Sequence, residues 1–74
     1  MSDCEIRNRI RQLRFDHGEM TQQALADRIG VTRQTVNAIE LGKYSPSLDV
    51  AFRIAAVFGV SLDEVFQHEG KGRS

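Results

Sequence analysis

The chain is poor in the residues that make cross-links, metal sites and membrane spans. Its 74 residues include one cysteine, one proline and no tryptophan. One cysteine excludes an internal disulfide framework and a cysteine-based zinc site, and a small domain without disulfides is typical of a reducing compartment. No apolar run approaches the roughly 18 residues of a membrane helix, and Met1–Ser2–Asp3 begins no signal peptide. We therefore expect a cytoplasmic protein with no membrane partner.

The chain also lacks net charge, because ten Lys and Arg residues balance ten Asp and Glu residues. Any surface that binds nucleic acid must therefore come from the placement of charges and not from their sum. With 41% hydrophobic and 27% charged residues the composition is that of a globular protein. The length allows one small domain, which we place at residues 1–69, with 70–74 as a flexible polar tail.

Apolar spacing and capping residues predict an all-α fold of five short helices. The first is expected to follow the S-x-x-E pattern of residues 2–5, with Ile6, Ile10 and Leu13 as its apolar stripe. The others are expected at 22–29, 33–41, 48–58 and from 62, each after a Ser or Thr cap. The inner face of the fourth is predicted to comprise Leu48, Ala51, Ile54, Ala55 and Phe58. No segment alternates as a strand does, so we expect none.

Residues 21–43, TQQALADRIGVTRQTVNAIELGK, carry the most information. Ala26 is small where two helices must cross closely, and Gly30 lies where a tight turn requires positive φ. The space between these two helices and the rest of the domain is expected to be filled by Leu25, Ile29, Val31, Val36 and Ile39. This pattern predicts a helix-turn-helix, whose DNA-binding form places the second helix in the major groove.

The third helix has one apolar side and one polar side at ~100° per residue. Arg33, Gln34 and Asn37 project together from its early turns. Arg can pair with guanine O6 and N7, and Gln or Asn with adenine N6 and N7. The alternative is that these are ordinary solvated residues, but the helix-turn-helix spacing favours base contact.

Residues around this helix are expected to hold the DNA backbone. Gln22, at the start of the second helix, can donate to a phosphate beside that helix's N–H groups. Lys43 and Tyr44 follow the third helix and can reach the flanking strand. Arg14 and Glu40 either pair across the first and third helices or remain two separate surface charges.

The segment Gly59–Val60–Ser61 repeats the pattern of Gly30–Val31–Thr32, a glycine, a valine and a capping hydroxyl residue between two helices. The second segment, however, is followed by Leu62, Asp63 and Glu64. These carboxylates would repel phosphate. Leu62, Val65 and Phe66 therefore either close the core or form a dimer contact. Phe15, opposite the apolar stripe of the first helix, either covers a neighbouring crevice or marks a contact surface.

The stretch 21–66 resembles the Cro/CI-type (XRE-type) helix-turn-helix family of phage and bacterial regulators, and the resemblance covers about residues 5–67. It implies a five-helix, lambda-repressor-like domain that acts as a homodimer on a palindromic double-stranded DNA operator. It further implies a bacterial or phage protein that is associated with the nucleoid. It also implies a phosphate contact for Gln22, groove contacts for Thr32, Arg33, Gln34 and Asn37, and a backbone contact for Lys43. The chain departs from the family pattern in a longer loop at Gly18–Glu19–Met20, and at Phe15 and Leu41.

Catalysis has little support, because His17 and His68 lie near the ends of different helices and no nucleophile or phosphate-loop motif is present. We expect no enzyme activity, no cofactor and no metal. The sequence favours a sequence-specific DNA-binding transcriptional regulator, with repression as its expected action. The alternative is a protein-interaction module, such as an antitoxin-like protein or an adaptor with a co-encoded partner.

Overall fold

The computed structural model describes residues 6–68, and within that range it has five helices and two short strands. The elements in chain order are β1 (Ile6–Asn8), α1 (Ile10–Asp16), α2 (Gln22–Ile29), α3 (Arg33–Glu40), α4 (Leu48–Phe58), α5 (Leu62–Val65) and β2 (Phe66–His68). The predicted all-α class and the five helices are confirmed. The expected cap at residues 2–5 and the expected tail at 70–74 lie outside the described residues.

The prediction that the chain has no strand was wrong. β1 and β2 pair antiparallel, with Ile6 opposite His68 and Asn8 opposite Phe66. Ile6 therefore does not belong to the stripe of the first helix, and its side chain is half exposed. The spacing Ile6–Ile10 fits a helix, but a three-residue strand is specified by its distant partner, which local spacing does not reveal.

The ends of the central helices follow the predicted caps. The hydroxyls of Thr21, Thr32 and Ser47 each accept a hydrogen bond from the backbone N–H three residues on, at 3.0, 3.1 and 3.2 Å. Gly30 and Gly59 end α2 and α4 in the left-handed conformation, with φ of 78° and 69°. These local signals fix where each helix starts and stops, and so fix the length of the turn between α2 and α3.

One apolar core joins all five helices. Its buried members are Ile10, Leu25, Ala26, Ile29, Val36, Ile39, Ile54, Ala55, Phe58 and Val65. Leu48 was predicted to belong to this core, but its side chain is 66% exposed, so that prediction was wrong. Leu48 shares its wheel direction with Ala55, but it lies in the first turn of α4, where no described residue covers it. A helical wheel shows the direction in which a side chain points, but it does not show whether a neighbouring helix extends far enough to cover it.

Ala26 tests how tightly α2 packs against the core, because its side chain is fully buried. Replacing it with Leu should lower the free energy of unfolding by about 1–3 kcal/mol, since added methylenes force neighbouring side chains apart. Urea denaturation of the two proteins measures this difference. Gln23→Leu puts the same residue on the exposed side of α2 and should change stability by less than about 0.5 kcal/mol. Equal effects at both positions would show that the α2 contact is loose.

Candidate nucleic-acid interface

Helix α3 is anchored on one side and exposed on the other. Val36 and Ile39 are 1% and 2% exposed and face the core. The turn that precedes α3 is closed by the backbone N–H groups of Gly30 and Val31, which both donate to the Ala26 carbonyl, at 2.9 and 3.1 Å. The anchored face and the tight turn hold α3 in a fixed orientation relative to α2, so its outer side forms a defined surface.

The predicted base-reading residues lie together on that surface. Arg33, Gln34 and Asn37 all have exposed side chains. Thr32 is exposed too, but its hydroxyl caps α3 and also contacts the Thr35 hydroxyl at 3.0 Å. Leu41, one turn after Asn37, adds an apolar side chain that is 60% exposed. The surface thus combines one guanidinium, two carboxamides and an aliphatic group, which are the groups that contact base edges and thymine methyls.

Gln22 bonds to α3 within the protein. Its Nε2 donates to Asn37 Oδ1 at 3.1 Å and to Glu40 Oε1 at 3.2 Å. A carboxamide nitrogen has two N–H groups, and both of these have acceptors here. Gln22 therefore ties the start of α2 to the reading side of α3. A phosphate contact from the same nitrogen requires it to release one of these two bonds.

Arg14 and Glu40 form the predicted ion pair, so they are not separate surface charges. Arg14 Nε lies 2.6 Å from Glu40 Oε2, and Nη2 lies 3.1 Å from Oε1. Nη1 donates to the Met20 carbonyl at 2.8 Å, and the two side chains are only 9% and 8% exposed. The paired, planar bonding fixes α1 to α3 and to the loop before α2. Because Glu40 also accepts from Gln22, the pair continues into the Gln22–Asn37 contact.

A groove between α1 and α3 brings in two residues that the sequence analysis did not single out. It has a volume of about 840 Å³ and is lined by Arg9, Arg11, Asn37 and Leu41, among others. Arg9 and Arg11 are exposed, and neither forms an ion pair within residues 6–68. The sequence does show several arginines close together, at positions 7, 9, 11 and 14. Which of them lie on the same face of the protein depends, however, on the residue at which α1 begins. We call this surface the α1–α3 groove.

Phe15 lies at the edge of the α1–α3 groove and is 51% exposed. The guanidinium carbons of Arg11 and Arg14 lie 5.7 and 5.6 Å from the centre of its ring. Cations at this distance from an aromatic face are attracted to it. Phe15 thus lines the groove and holds Arg11 near its ring, but the ring is half exposed, so a contact surface is also consistent with its position.

Lys43 and Tyr44 lie in the loop after α3, and both are exposed. The backbone N–H of Lys43 donates to the Ala38 carbonyl at 2.9 Å, which folds the loop back on the end of α3. Gly42, with φ of 76°, makes this fold possible. Both side chains therefore extend from the C-terminal end of the reading helix, where the flanking DNA strand was expected.

The second turn, at residues 59–61, leads into the core. Val65 is fully buried, while Leu62 and Phe66 are partly buried. The interpretation of α5 as core closure holds for Val65, which is therefore not free to form a dimer contact. Asp63 and Glu64 remain exposed on the same helix. The positions of α5 that match Arg33 and Gln34 of α3 are therefore Leu62 and the carboxylate Asp63.

Other kinds of site find no support among residues 6–68. No group of three His, Cys, Asp or Glu side chains in this range is placed to hold a metal ion. His17 contacts the Leu13 carbonyl through Nδ1 at 3.0 Å, and its ring packs edge-on against Phe58. No described helix is long and apolar enough to cross a membrane. Cys4 and the side chain of His68 lie outside this description.

Comparison with known proteins supports the same interpretation. The profile of the helix-turn-helix family matches residues 10–65. An uncharacterized HTH-type transcriptional regulator of Methanocaldococcus jannaschii is 47% identical over 64 residues, covering 86% of this chain and 96% of the relative. One from Methanothermobacter thermautotrophicus is 54% identical over 62 residues, covering 82% and 88%. The control protein C.MunI of a Mycoplasma species is 34% identical over 68 residues, covering 89% and 92%.

A solved structure shares the fold. A protein of Bacteroides fragilis, described as a candidate DNA-binding protein, superposes with a TM-score of 0.72 at 24% identity, covering 84% of this chain and 98% of that one. Proteins of the matched family are regulators and not enzymes. The chain therefore belongs to the Cro/CI-type (XRE-type) helix-turn-helix family, and it is a transcriptional regulator with a helix-turn-helix DNA-binding domain.

Proposed function

We propose that the protein is a sequence-specific repressor that binds a palindromic operator as a homodimer, with α3 of each subunit in the major groove. The observation that supports this most strongly is the division of α3 into two sides. Val36 and Ile39 hold it to the core, while Arg33, Gln34 and Asn37 stand exposed together. A helix presented in this way fits the width of the major groove and offers hydrogen-bonding groups to base edges.

Arg33 and Gln34 are the proposed base-reading residues at the start of α3. Arg33 donates in pairs to O6 and N7 of a guanine, and Gln34 pairs with N6 and N7 of an adenine. Asn37 differs, because its Oδ1 already accepts from Gln22. Its Nδ2 remains available to donate, so Asn37 favours a base that offers an acceptor. Thr32 stands at the N-terminus of α3, close enough in sequence to share this end of the groove.

Phosphate contacts are proposed on both sides of α3. Lys43 and Tyr44 serve the strand beside the C-terminal end of α3. Arg9 and Arg11 serve the opposite strand across the α1–α3 groove, and Gln22 contributes from the start of α2. These contacts carry no base information, but they set the register of α3 on the duplex. Their local positive charge explains how a chain with no net charge can hold DNA.

The small size of the proposed reading surface supports a homodimer. One domain offers only three or four side chains to bases, which limits both affinity and specificity. Two copies related by a twofold axis contact half-sites about 34–36 Å apart, one turn of the duplex. A repressor of this kind acts by occupying its operator. The alternative role as an adaptor or antitoxin predicts binding to a co-encoded protein. An adaptor without DNA affinity would in addition show no preferred sequence in a selection from random duplexes.

Arg33→Ala tests base reading directly. We expect a loss of about 1–3 kcal/mol for each half-site of the preferred site and a relaxed choice at one base pair of each half-site, because the paired contact to guanine is removed in both subunits. The measurement is selection from random duplexes, followed by titration of the selected site. Arg28→Ala, at an exposed position at the end of α2, is the matched control and should keep both affinity and preference. An equal loss on every DNA sequence would mean that Arg33 contacts only phosphate.

A further inference from the structure

An exposed apolar stripe runs along α4, a different helix from the one that carries the proposed base-reading side chains. Leu48 and Phe52 are 66% and 54% exposed, and Ala56 is exposed one turn later. Residues four apart follow one ridge of a helix, so the three side chains form a continuous stripe. The core side of α4, with Ala51 and Ile54, is already buried. No described residue covers the stripe, which we call the α4 stripe.

Two opposite charges flank the α4 stripe on one side. Asp49 Oδ2 lies 3.1 Å from Arg53 Nη2, and the side chains are 70% and 53% exposed. Arg53 Nη1 also donates to the Ile29 carbonyl at 3.2 Å, which holds its guanidinium near α2. An exposed pair of this kind adds little to stability. What matters for binding a second helix is the order of the two charges along α4, with the negative Asp49 first and the positive Arg53 one turn later.

We infer that the α4 stripe binds the α4 stripe of a second copy of this chain, with the two helices antiparallel about a twofold axis. This inference rests on the proposed homodimer and assigns its interface. In an antiparallel pair the same flank of each helix meets, with the direction reversed. An axis near residue 51 then places Asp49 of each copy toward Arg53 of the other, so the charge pattern is complementary to itself.

The apolar side chains fit the same axis. An axis at residue 52 brings Phe52 close to its symmetry mate and sets Leu48 toward the small Ala56. The two placements of the axis differ by one residue, about 1.5 Å along a helix. A twofold interface requires one patch to complement itself, and the α4 stripe does so in both its apolar and its charged residues. Specific interfaces bury about 1,200–2,000 Å² in total, so the stripe is the centre of a larger contact.

This arrangement uses residues other than the proposed DNA contacts. The stripe and its charges lie on α4, while the proposed base-reading side chains lie on α3 and the α1–α3 groove lies between α1 and α3. Arg33, Gln34 and Asn37 are therefore not part of the proposed dimer contact. Val65, which the sequence analysis considered as a possible dimer contact, is fully buried and cannot contribute to this interface.

Charge reversal with complementation tests the interface. Asp49→Lys and Arg53→Glu are made separately, and the sedimentation of each full-length protein is measured over a range of concentrations. Each change creates two like-charge contacts in a symmetric dimer, so we expect the dimer dissociation constant to rise at least tenfold in either variant. An equimolar mixture of the two should return to the wild-type dissociation constant, because each mixed pair restores opposite charges. Arg28→Glu on α2 is the control and should dimerise like the wild type.

The complementation separates an interface from a folding role. Circular dichroism establishes that each variant is folded, and mixing two poorly folded proteins would not restore association. Phe52→Asp provides a second variant, which should abolish the dimer without loss of helix content because the ring is already half exposed. Variants that dimerise like the wild type would overturn the α4 interface and leave the homodimer standing. A wild-type protein that is monomeric at all concentrations, free and on DNA, would overturn both.

Discussion

Raising the salt concentration from 50 to 200 mM should weaken operator binding by about 10³- to 10⁵-fold for a dimer that contacts about 6–10 phosphates. Each phosphate that is neutralised by a Lys or Arg releases condensed counterions, and added salt opposes that release. The effect is expected to be large even though the chain has no net charge, because the counterions respond to the residues that touch the backbone. A titration of labelled operator by fluorescence anisotropy at several salt concentrations gives the slope.

The salt dependence can be tested at individual residues of the α1–α3 groove. Arg9→Gln and Arg11→Gln should each weaken binding to all sequences and reduce the magnitude of the slope of log affinity against log salt by about two, because each substitution removes one phosphate contact from both subunits of the dimer. Arg28→Gln, outside the groove, should leave the slope unchanged. A slope that does not respond to either groove arginine would remove that groove from the interface. A flat salt response of the wild type would contradict phosphate binding altogether.

The parts of the fold that sequence predicted well are those set by neighbouring residues. Thr21, Thr32 and Ser47 cap their helices because each offers an oxygen to an N–H three residues away. Gly30 and Gly59 end helices because only a residue without Cβ adopts positive φ at little cost. The outward direction of Arg33 and Asn37 follows from helical periodicity once Val36 and Ile39 are assigned to the core. All of these are local rules.

The parts that sequence missed depend on residues far apart in the chain. The strand at Ile6–Asn8 exists because it pairs with Phe66–His68, and Asn8 Nδ2 also donates to the Ile39 carbonyl at 2.9 Å. The α1–α3 groove depends on the start of α1 at Ile10, which the strand determines. The same holds for Gln22, whose bonds to Asn37 and Glu40 join different helices. Spacing within one helix does not show which groups of another helix will lie opposite.

Asn37 shows how such a distant contact bears on function. The sequence places it on the reading side of α3, with the ordinary preference of a carboxamide for adenine. The bond from Gln22 orients the carboxamide and leaves Nδ2 as its available group. Gln22 is itself held by Glu40, and Glu40 by Arg14. A buried ion pair therefore supports the side chain that we propose to contact a base, and loss of the pair should affect both folding and recognition.

Glu40→Ala should lower the free energy of unfolding by about 3–5 kcal/mol, because it leaves the Arg14 guanidinium buried without its counter-charge. Arg14 is 7% exposed, and of its side-chain hydrogen bonds it retains only the one to the Met20 carbonyl. In a domain whose total stability is about 5–15 kcal/mol, a loss of this size is close to unfolding. Urea denaturation measures it, and Asp27→Ala, which removes an exposed carboxylate from α2, should change stability by less than about 0.5 kcal/mol.

The double variant Arg14→Met, Glu40→Leu separates the two roles of the ion pair. Because well-packed apolar residues often replace a buried pair without loss, we expect its stability to return close to that of the wild type. Operator recognition should not return with it, because an aliphatic side chain in place of the Glu40 carboxylate offers Gln22 no acceptor, and the Gln22–Asn37 contact loses its anchor. The measurement is affinity for the selected site against a random duplex, at a temperature where both proteins are folded. Full recovery of that ratio would show that the pair serves stability alone and does not orient the reading side chains.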